Sequence, residues 1–202
     1  PSAIKDEGGE IISIPVKKIL FSLIPFCLVL WMFANIFLAD VSFNQGQASR
    51  RLGKLAAAEA SFKEAAFLNF WEPSYHKEHS LVLAEMGVLE DSGVDLVQEA
   101  AGEAELAYQL NHQNSLTLKS LVRNYYLLAR LNPKYETVLK TLAQKIMSLS
   151  PTDPQSYFEA AQVYSYFKDN QTAREFSRKA LDLKTDYPEA RELLQKLEKE
   201  KN

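Results

Sequence analysis

Few residues in this 202-residue chain have both the type and the spacing that chemistry requires. Of the three histidines, His76 and His79 stand at i, i+3 beside Glu72 and Glu78, so a helix places both rings on one face. Two imidazoles can begin a metal site, but a zinc or iron site needs a third protein ligand, and none follows at ligand spacing. The pair is expected on a solvated helix face, and no metal site is assigned. Glu90 and Asp91 with Asp95 would work as general acid and base only if their environments split their pKa values. They lie in the polar stretch GVLEDSGVDL, at 87–96, which reads as an inserted loop, so they are expected to be solvated. No phosphate loop, GxSxG elbow, HExxH helix or dinucleotide fingerprint is present in the sequence. No catalytic residue and no cofactor is assigned. A single cysteine, Cys27, excludes an intramolecular disulfide framework. Asn170-Gln171-Thr172 has the form of a glycosylation sequon and is expected in a short, exposed turn.

Charge narrows the partners. The chain holds 23 Lys and Arg against 26 Asp and Glu, a net charge of -3. Residues 1–39 balance Lys5, Lys17 and Lys18 against Asp6, Glu7 and Glu10, so residues 40–202 carry the whole -3. That balance disfavours a broad phosphate-binding face, and nucleic acid is not expected as a partner.

The elements that must position any site fall into two classes. The first is an apolar run, ILFSLIPFCLVLWMFANIFLA, from Ile19 to Ala39, without Asp, Glu, Lys, Arg or His. As a helix it rises about 31 Å, which matches a hydrocarbon core of about 30 Å. Pro25 falls within it, which membrane helices tolerate. A signal peptide has a shorter apolar core and a small-x-small cleavage site, which Ile36 to Ala39 do not offer. Residues 19–39 are therefore expected to span a bilayer, after a polar N-terminal loop at 1–18. Lys17 and Lys18 precede the run and Asp40 closes it, so the positive-inside rule places the N-terminal side in the cytoplasm and the remainder outside it. The chain begins at Pro1, without Met, and is expected to be the C-terminal piece of something longer.

The second class is a repeat. Ala58, Phe62 and Ala65 stand at i, i+4, i+7. Ala100, Ala104 and Ala107 repeat that spacing, as do Leu139, Ala143 and Ile146, then Ala173, Ser177 and Ala180. The third members step by 42, 39 and 34 residues. Extra length is expected within 87–96 in the second copy and around Arg130 to Tyr135 in the third. Pro73, Pro154 and Pro188 fit first-turn helix positions, with Asp153 and Asp186 as capping residues. Gly53 and Gly87 fit helix stops. The last segment, residues 188–202, presents Ala190, Leu193, Leu194 and Leu197 on one face and charge on the other, including Glu192 and Lys196 at i, i+4, and reads as a capping helix.

These copies resemble the tetratricopeptide repeat (TPR) family, through Gly46, Ala58, Phe62 and Ala65 in the first and Tyr157, Ala161, Tyr164, Ala173 and Ala180 in the fourth. The proline expected near the end of the second helix is Pro151 in the third copy but Phe70 in the first and Thr185 in the fourth. The expected fold is all-α: a transmembrane helix, an α-solenoid of about four TPR hairpins over residues 40–187, and the cap. Phe62, Tyr125 and Tyr164 are expected between successive hairpins. The resemblance implies a concave groove lined by the first helix of each hairpin. By the pattern that lining is Phe43, Gln47, Arg50, Lys77, Leu81, Lys119, Arg123, Tyr126, Phe158 and Gln162. Its basic, amide and aromatic mixture suits an extended acidic peptide, so a protein or peptide partner is expected there.

The junction, in which Leu38, Ala39 and Asp40 run straight into VSFNQGQASRRLGKLAAAEASFKEAAFLNFWEP, also resembles the C-terminal region of bacterial O-antigen ligase/O-antigen polymerase proteins over residues 17–202. That resemblance implies an envelope membrane enzyme whose chemistry lies upstream, with this chain as a non-catalytic scaffold in the bacterial plasma membrane. The alternative is a single-pass envelope adaptor or assembly factor.

Overall fold

The computed structural model describes residues 16–89 and 93–200, and among these every regular element is helical. The helices are α1 (Val16–Arg51), α2 (Leu55–Leu68), α3 (Pro73–Leu89), α4 (Val94–Leu110), α5 (Ser115–Leu131), α6 (Glu136–Leu149), α7 (Pro154–Tyr166), α8 (Asn170–Leu183) and α9 (Pro188–Lys199). A short 3-10 turn, Pro133–Tyr135, joins α5 to α6. Neighbours in sequence pack as hairpins, α1 with α2, α3 with α4, α5 with α6 and α7 with α8, and α9 closes on α8. The architecture is an α-solenoid of four TPR-type hairpins with a cap.

The first helix does two jobs. Leu23 to Ala34 are exposed on every side, whereas Ala39 is fully buried. Among the described residues α1 is the one helix long and apolar enough to cross a membrane. It runs through Ala39 and Asp40 into the first hairpin without a break.

The repeat positions are the core. All twelve residues of the four i, i+4, i+7 sets have a relative accessibility of 0%. The third member of each set also ends its helix in the same way. The carbonyls of Ala65, Ala107, Ile146 and Ala180 accept from the amides of Asn69, Asn111, Ser150 and Lys184. The 42, 39 and 34-residue steps therefore join structurally equivalent points.

The turns are equally specific. After α1, Lys54 N donates to Ser49 O at 3.0 Å and Gly53 N to Arg50 O at 2.9 Å, with Gly53 at φ +70°. This is a Schellman stop, which needs a left-handed residue. After α7 the same pair recurs, Asp169 N to Tyr164 O and Lys168 N to Ser165 O, with Lys168 at φ +63° where glycine is cheaper. Asp153 caps α7 ahead of Pro154, accepting from Gln155 N at 3.1 Å.

Four expectations are corrected. Gly87 does not stop a helix. It lies inside α3, and a Cβ there would stand 2.8 Å from Val97 Cγ2, so its role is the close approach of α3 to α4. The 87–96 stretch is not an inserted loop where described: α3 and α4 have 17 residues each, against 13 and 14 in the last hairpin, so extra length becomes extra helix. Asp95 sits in the first turn of α4, where a carboxylate suits the helix dipole, while Glu90 and Asp91 lie outside the described residues. Asp186 does not cap α9, whose first flanking residue is Tyr187 without a side-chain cap. On α9, Ala190 and Leu197 are buried as expected, but Glu192 and Lys196 form no ion pair among the described residues. The cap is held instead by Arg178 to Glu198 at 2.9 Å and by Arg174 Nη1 donating to Leu197 O at 3.2 Å.

Gly46 marks a close crossing in the first hairpin. A Cβ there would stand 2.8 Å from the ring of Phe62, which fills the space between α1 and α2. Tyr164 is buried between the later hairpins, and Tyr125 is half-buried with its hydroxyl donating to Glu105.

Candidate functional site

The ten residues expected to line one groove divide into three groups. Phe43 belongs to the core: its ring packs on Phe62 and Tyr75, with centroids 5.5 and 5.0 Å apart. In the first two hairpins Arg50 is clamped by two carboxylates of α3, Glu78 at 2.8 Å and Glu85 at 2.5 Å, and Lys77 also reaches Glu78 at 2.9 Å. Gln47 lies beside Arg50 in a depression of about 330 Å³ also lined by Phe62 and Glu78, and Leu81 is half-buried. Lys119 of α5 crosses to Asp153 at 2.6 Å and Gln155 at 3.3 Å. Burial pushes the Asp153 carboxyl up, but its bonds from Lys119, Ser156 Oγ and Gln155 N outweigh this and hold it below its ordinary value. Three of the four cations are thus neutralised from within, and the expected basic stripe is broken.

The remaining four come together in the C-terminal half. Arg123 and Tyr126 of α5 face Gln162 and Glu159 of α7 across a cavity of about 200 Å³, walled by Val122 and Val163. Gln162 and Phe158 also line a wider groove of about 750 Å³, whose far wall is α9, through Glu189, Leu193 and Lys196. Gln162 lines both, so the two lie side by side. Aromatic contacts hold its walls: Tyr126 stands edge-on to Tyr166 at 5.4 Å, and Phe158 packs on Tyr187 at 5.1 Å. Arg123 is exposed and makes no ion pair among the described residues.

Glu159 is the residue that sequence reasoning missed. Burial pushes its pKa up to about 7, against the pull of Lys119 and of Gln155 Nε2, which donates to Oε1 at 2.8 Å. Its other oxygen, Oε2, is buried with no partner in the structure. The signal was present as Gln155, Glu159 and Gln162 at i, i+4, i+7, a polar stripe on an otherwise apolar helix. The site thus offers a free guanidinium, a carboxyl whose pKa burial raises, an amide and two aromatic walls. It suits hydrogen-bonded docking of a chain in extended form.

The histidine expectation is overturned. His76 and His79 are buried, 3% and 1% accessible. His76 Nδ1 stands 2.7 Å from Glu103 Oε2 and Nε2 stands 2.9 Å from Phe70 O, so both nitrogens face acceptors. That arrangement suits the imidazolium. Burial pushes the His76 pKa down, but those bonds and the Glu103 charge raise it above its ordinary value. His79 reaches Glu59 Oε1 at 3.4 Å and lies 3.5 Å from Glu103 Oε1. The cluster joins α2, α3 and α4 and is a structural staple. No group of three His, Cys, Asp or Glu among the described residues has metal-holding geometry. Asn170 also departs from expectation. It opens α8, is half-buried, and donates to Glu200 Oε2 at 3.1 Å.

The tetratricopeptide repeat family pattern matches residues 39–69 and 154–187, the first and fourth hairpins. No curated protein matches the sequence. Similar solved structures include MamA, from residue 41 onward, of Desulfovibrio magneticus RS-1, with a TM-score of 0.67 at 16% identity, covering 81% of this chain and 85% of that one. A second is TTC0263, a thermophilic TPR protein of Thermus thermophilus, with a TM-score of 0.65 at 19% identity, covering 79% of this chain and 80% of that one. A third is the first TPR of Spaghetti (RPAP3) bound to the HSP90 peptide SRMEEVD, with a TM-score of 0.55 at 13% identity, covering 66% of this chain and 98% of that one. At these identities the likeness establishes the fold.

Proposed function

We propose that the chain is a membrane-anchored TPR scaffold that docks a protein partner in the depression between α5, α7 and α9. The observation that carries this reading is the pair of adjoining cavities lined by Arg123, Tyr126, Glu159, Gln162 and Phe158, with Arg123 exposed and in no ion pair among the described residues. A peptide carboxylate or carbonyl would pair with Arg123, Gln162 would bond a backbone amide or oxygen, and Tyr126 with Phe158 would hold apolar side chains. Peptide binding by a TPR neighbour supports the same mode. Arg50 and Lys119 serve in this reading as internal ties that hold the hairpins at their spacing, while Lys77 is neutralised within α3.

The test is selection of peptides from a display library on the full chain in detergent, followed by titration of the selected peptide. Replacing Arg123→Glu together with Tyr126→Ala is expected to weaken binding about 30-fold or more, about 2 kcal/mol, without loss of helicity. Unchanged affinity removes the depression as the docking site.

The anchor reading rests on the exposed apolar surface of α1 and the lysines before it. A reporter active only outside the cytoplasm, fused after Asn202, is expected to be active, and silence would reverse the orientation. A narrower reading makes the chain the non-catalytic tail of an O-antigen ligase-like glycan-transferring protein of the bacterial plasma membrane. The resemblance of the junction, in which α1 runs from the span into the first hairpin, supports it. Reading the frame upstream of Pro1 decides it: many further spans support it, and a start codon directly before Pro1 favours the single-pass adaptor.

A further inference from the structure

Three large aromatic side chains lie uncovered at one corner of the solenoid. Phe67, at the end of α2, is 85% exposed, and Phe70 and Trp71, in the turn to α3, are 46% and 77% exposed. The turn is rigidly held. Phe70 stands edge-on to both Trp71 and His76, and its carbonyl accepts from His76 Nε2.

The position of this corner along α1 is set by the packing. Ala39 shares a buried cluster with Ala65, Ala66 and Tyr75, and the Tyr75 hydroxyl donates to Asp40. Because Gly46 meets Phe62 and Ala39 meets Ala65, the end of α2 lies level with the last turn of the apolar run. At that level Phe37 and Leu38 are exposed, and Asn35 and Ile36 are the first residues of α1 to be half-buried. The aromatic patch therefore lies at the level of the last exposed apolar turn of α1. Acidic groups flank it, Asp40 and Glu72, so attraction to anionic headgroups is not its driving force. Tryptophan and phenylalanine at the rim of a span are suited to the headgroup layer of a bilayer.

We infer that the α2–α3 corner is a second membrane contact, in which Phe67, Phe70 and Trp71 enter the interfacial layer of the bilayer beside the exit of α1. This rests on the reading of α1 as a span. A single helix leaves the solenoid free to rotate about the bilayer normal with variable tilt. The corner fixes its tilt, and with it the height of the docking depression above the membrane.

The experiment uses the full chain in phosphatidylcholine vesicles. The protein has two tryptophans, Trp31 and Trp71, so Trp31→Phe and Trp71→Phe each leave one reporter. Far-UV dichroism checks that both variants keep their helicity. Each is quenched with lipids labelled near the headgroup or deep in the acyl chain, and with aqueous iodide. Trp71 is expected to emit at short wavelength, to lose intensity to the shallow label and to resist iodide, while Trp31 responds to the deep label. If Trp71 is open to iodide and untouched by lipid labels while Trp31 is quenched, the corner contact is overturned and the anchor stands. Resistance to iodide without lipid quenching, lost when lipid dilutes the protein, would mean that a second copy covers the corner, which also overturns the inference. If neither tryptophan meets a lipid label, the anchor fails and the corner contact fails with it.

Discussion

Replacing Glu103→Gln is expected to reverse the pH dependence of stability as well as lower it. Burial pushes the Glu103 carboxyl up, but the facing His76 and His79 rings outweigh it and bring its pKa down to about 2. A carboxyl lowered in this way contributes stability that is present above its ordinary value of about 4.5 and is lost as pH falls toward 2. His76 works in the opposite sense. Its pKa is raised from 6.5, so its contribution is complete below that value and is lost as pH rises through the raised one. The pair is therefore strongest between about pH 4.5 and 6.5. The groups that face it are Glu59 from α2, the Phe70 carbonyl from the turn, and His79 beside it. Without the Glu103 charge, His76 is a buried imidazole with no anion, its folded pKa falls below the unfolded one, and stability rises with pH instead. Breaking a buried pair costs about 3–5 kcal/mol, and Glu103, 24% exposed, belongs at the lower end. Urea unfolding in detergent from pH 5 to 8, followed by dichroism, reads both effects. Parallel pH profiles for the two proteins would show that the staple is not charged.

Phe62→Ala is expected to cost about 3–5 kcal/mol, the range for deleting a buried aromatic ring. Phe62 is fully buried among Ala58, Val82 and Phe43, against a glycine that leaves no atom able to move into the space. The loss falls on the hairpin that joins α1 to the rest of the solenoid. Its visible consequence is uncoupling: proteases are expected to cut between residues 52 and 70 at a denaturant concentration where the later hairpins still resist. Gly46→Ala in the same background is expected to be partly tolerated, since its methyl group then enters the vacated volume, whereas in the parent it clashes. A loss below about 1 kcal/mol for Phe62→Ala would mean that α1 and α2 do not meet through this contact.

What could be read from the chain was whatever repeats along it. The apolar run of 19–39, the four buried sets at i, i+4, i+7, the Gly53 stop, the Asp153 cap and the amphipathic last helix are local patterns. A helix buries one face, and its period of 3.6 shows which residues lie on that face. The sequence by itself therefore determined the class of fold, an approximate count of four hairpins and the residues at their centres. It could not show which residue on one inward face meets which on another. The sequence around His76 and His79 points to a solvated face, yet their partners Glu103 and Glu59 stand 27 and 20 residues away. Arg50 and Lys119 were read as open to a ligand, yet Glu78, Glu85 and Asp153 quench them from 28, 35 and 34 residues away. Only the tertiary structure decided those pairings, and with them where the free Arg123 and the unpartnered Glu159 oxygen were left. The physical reason is that a helix's own period marks its apolar face, while the fate of a polar or charged side chain is set by whichever helix lies across from it.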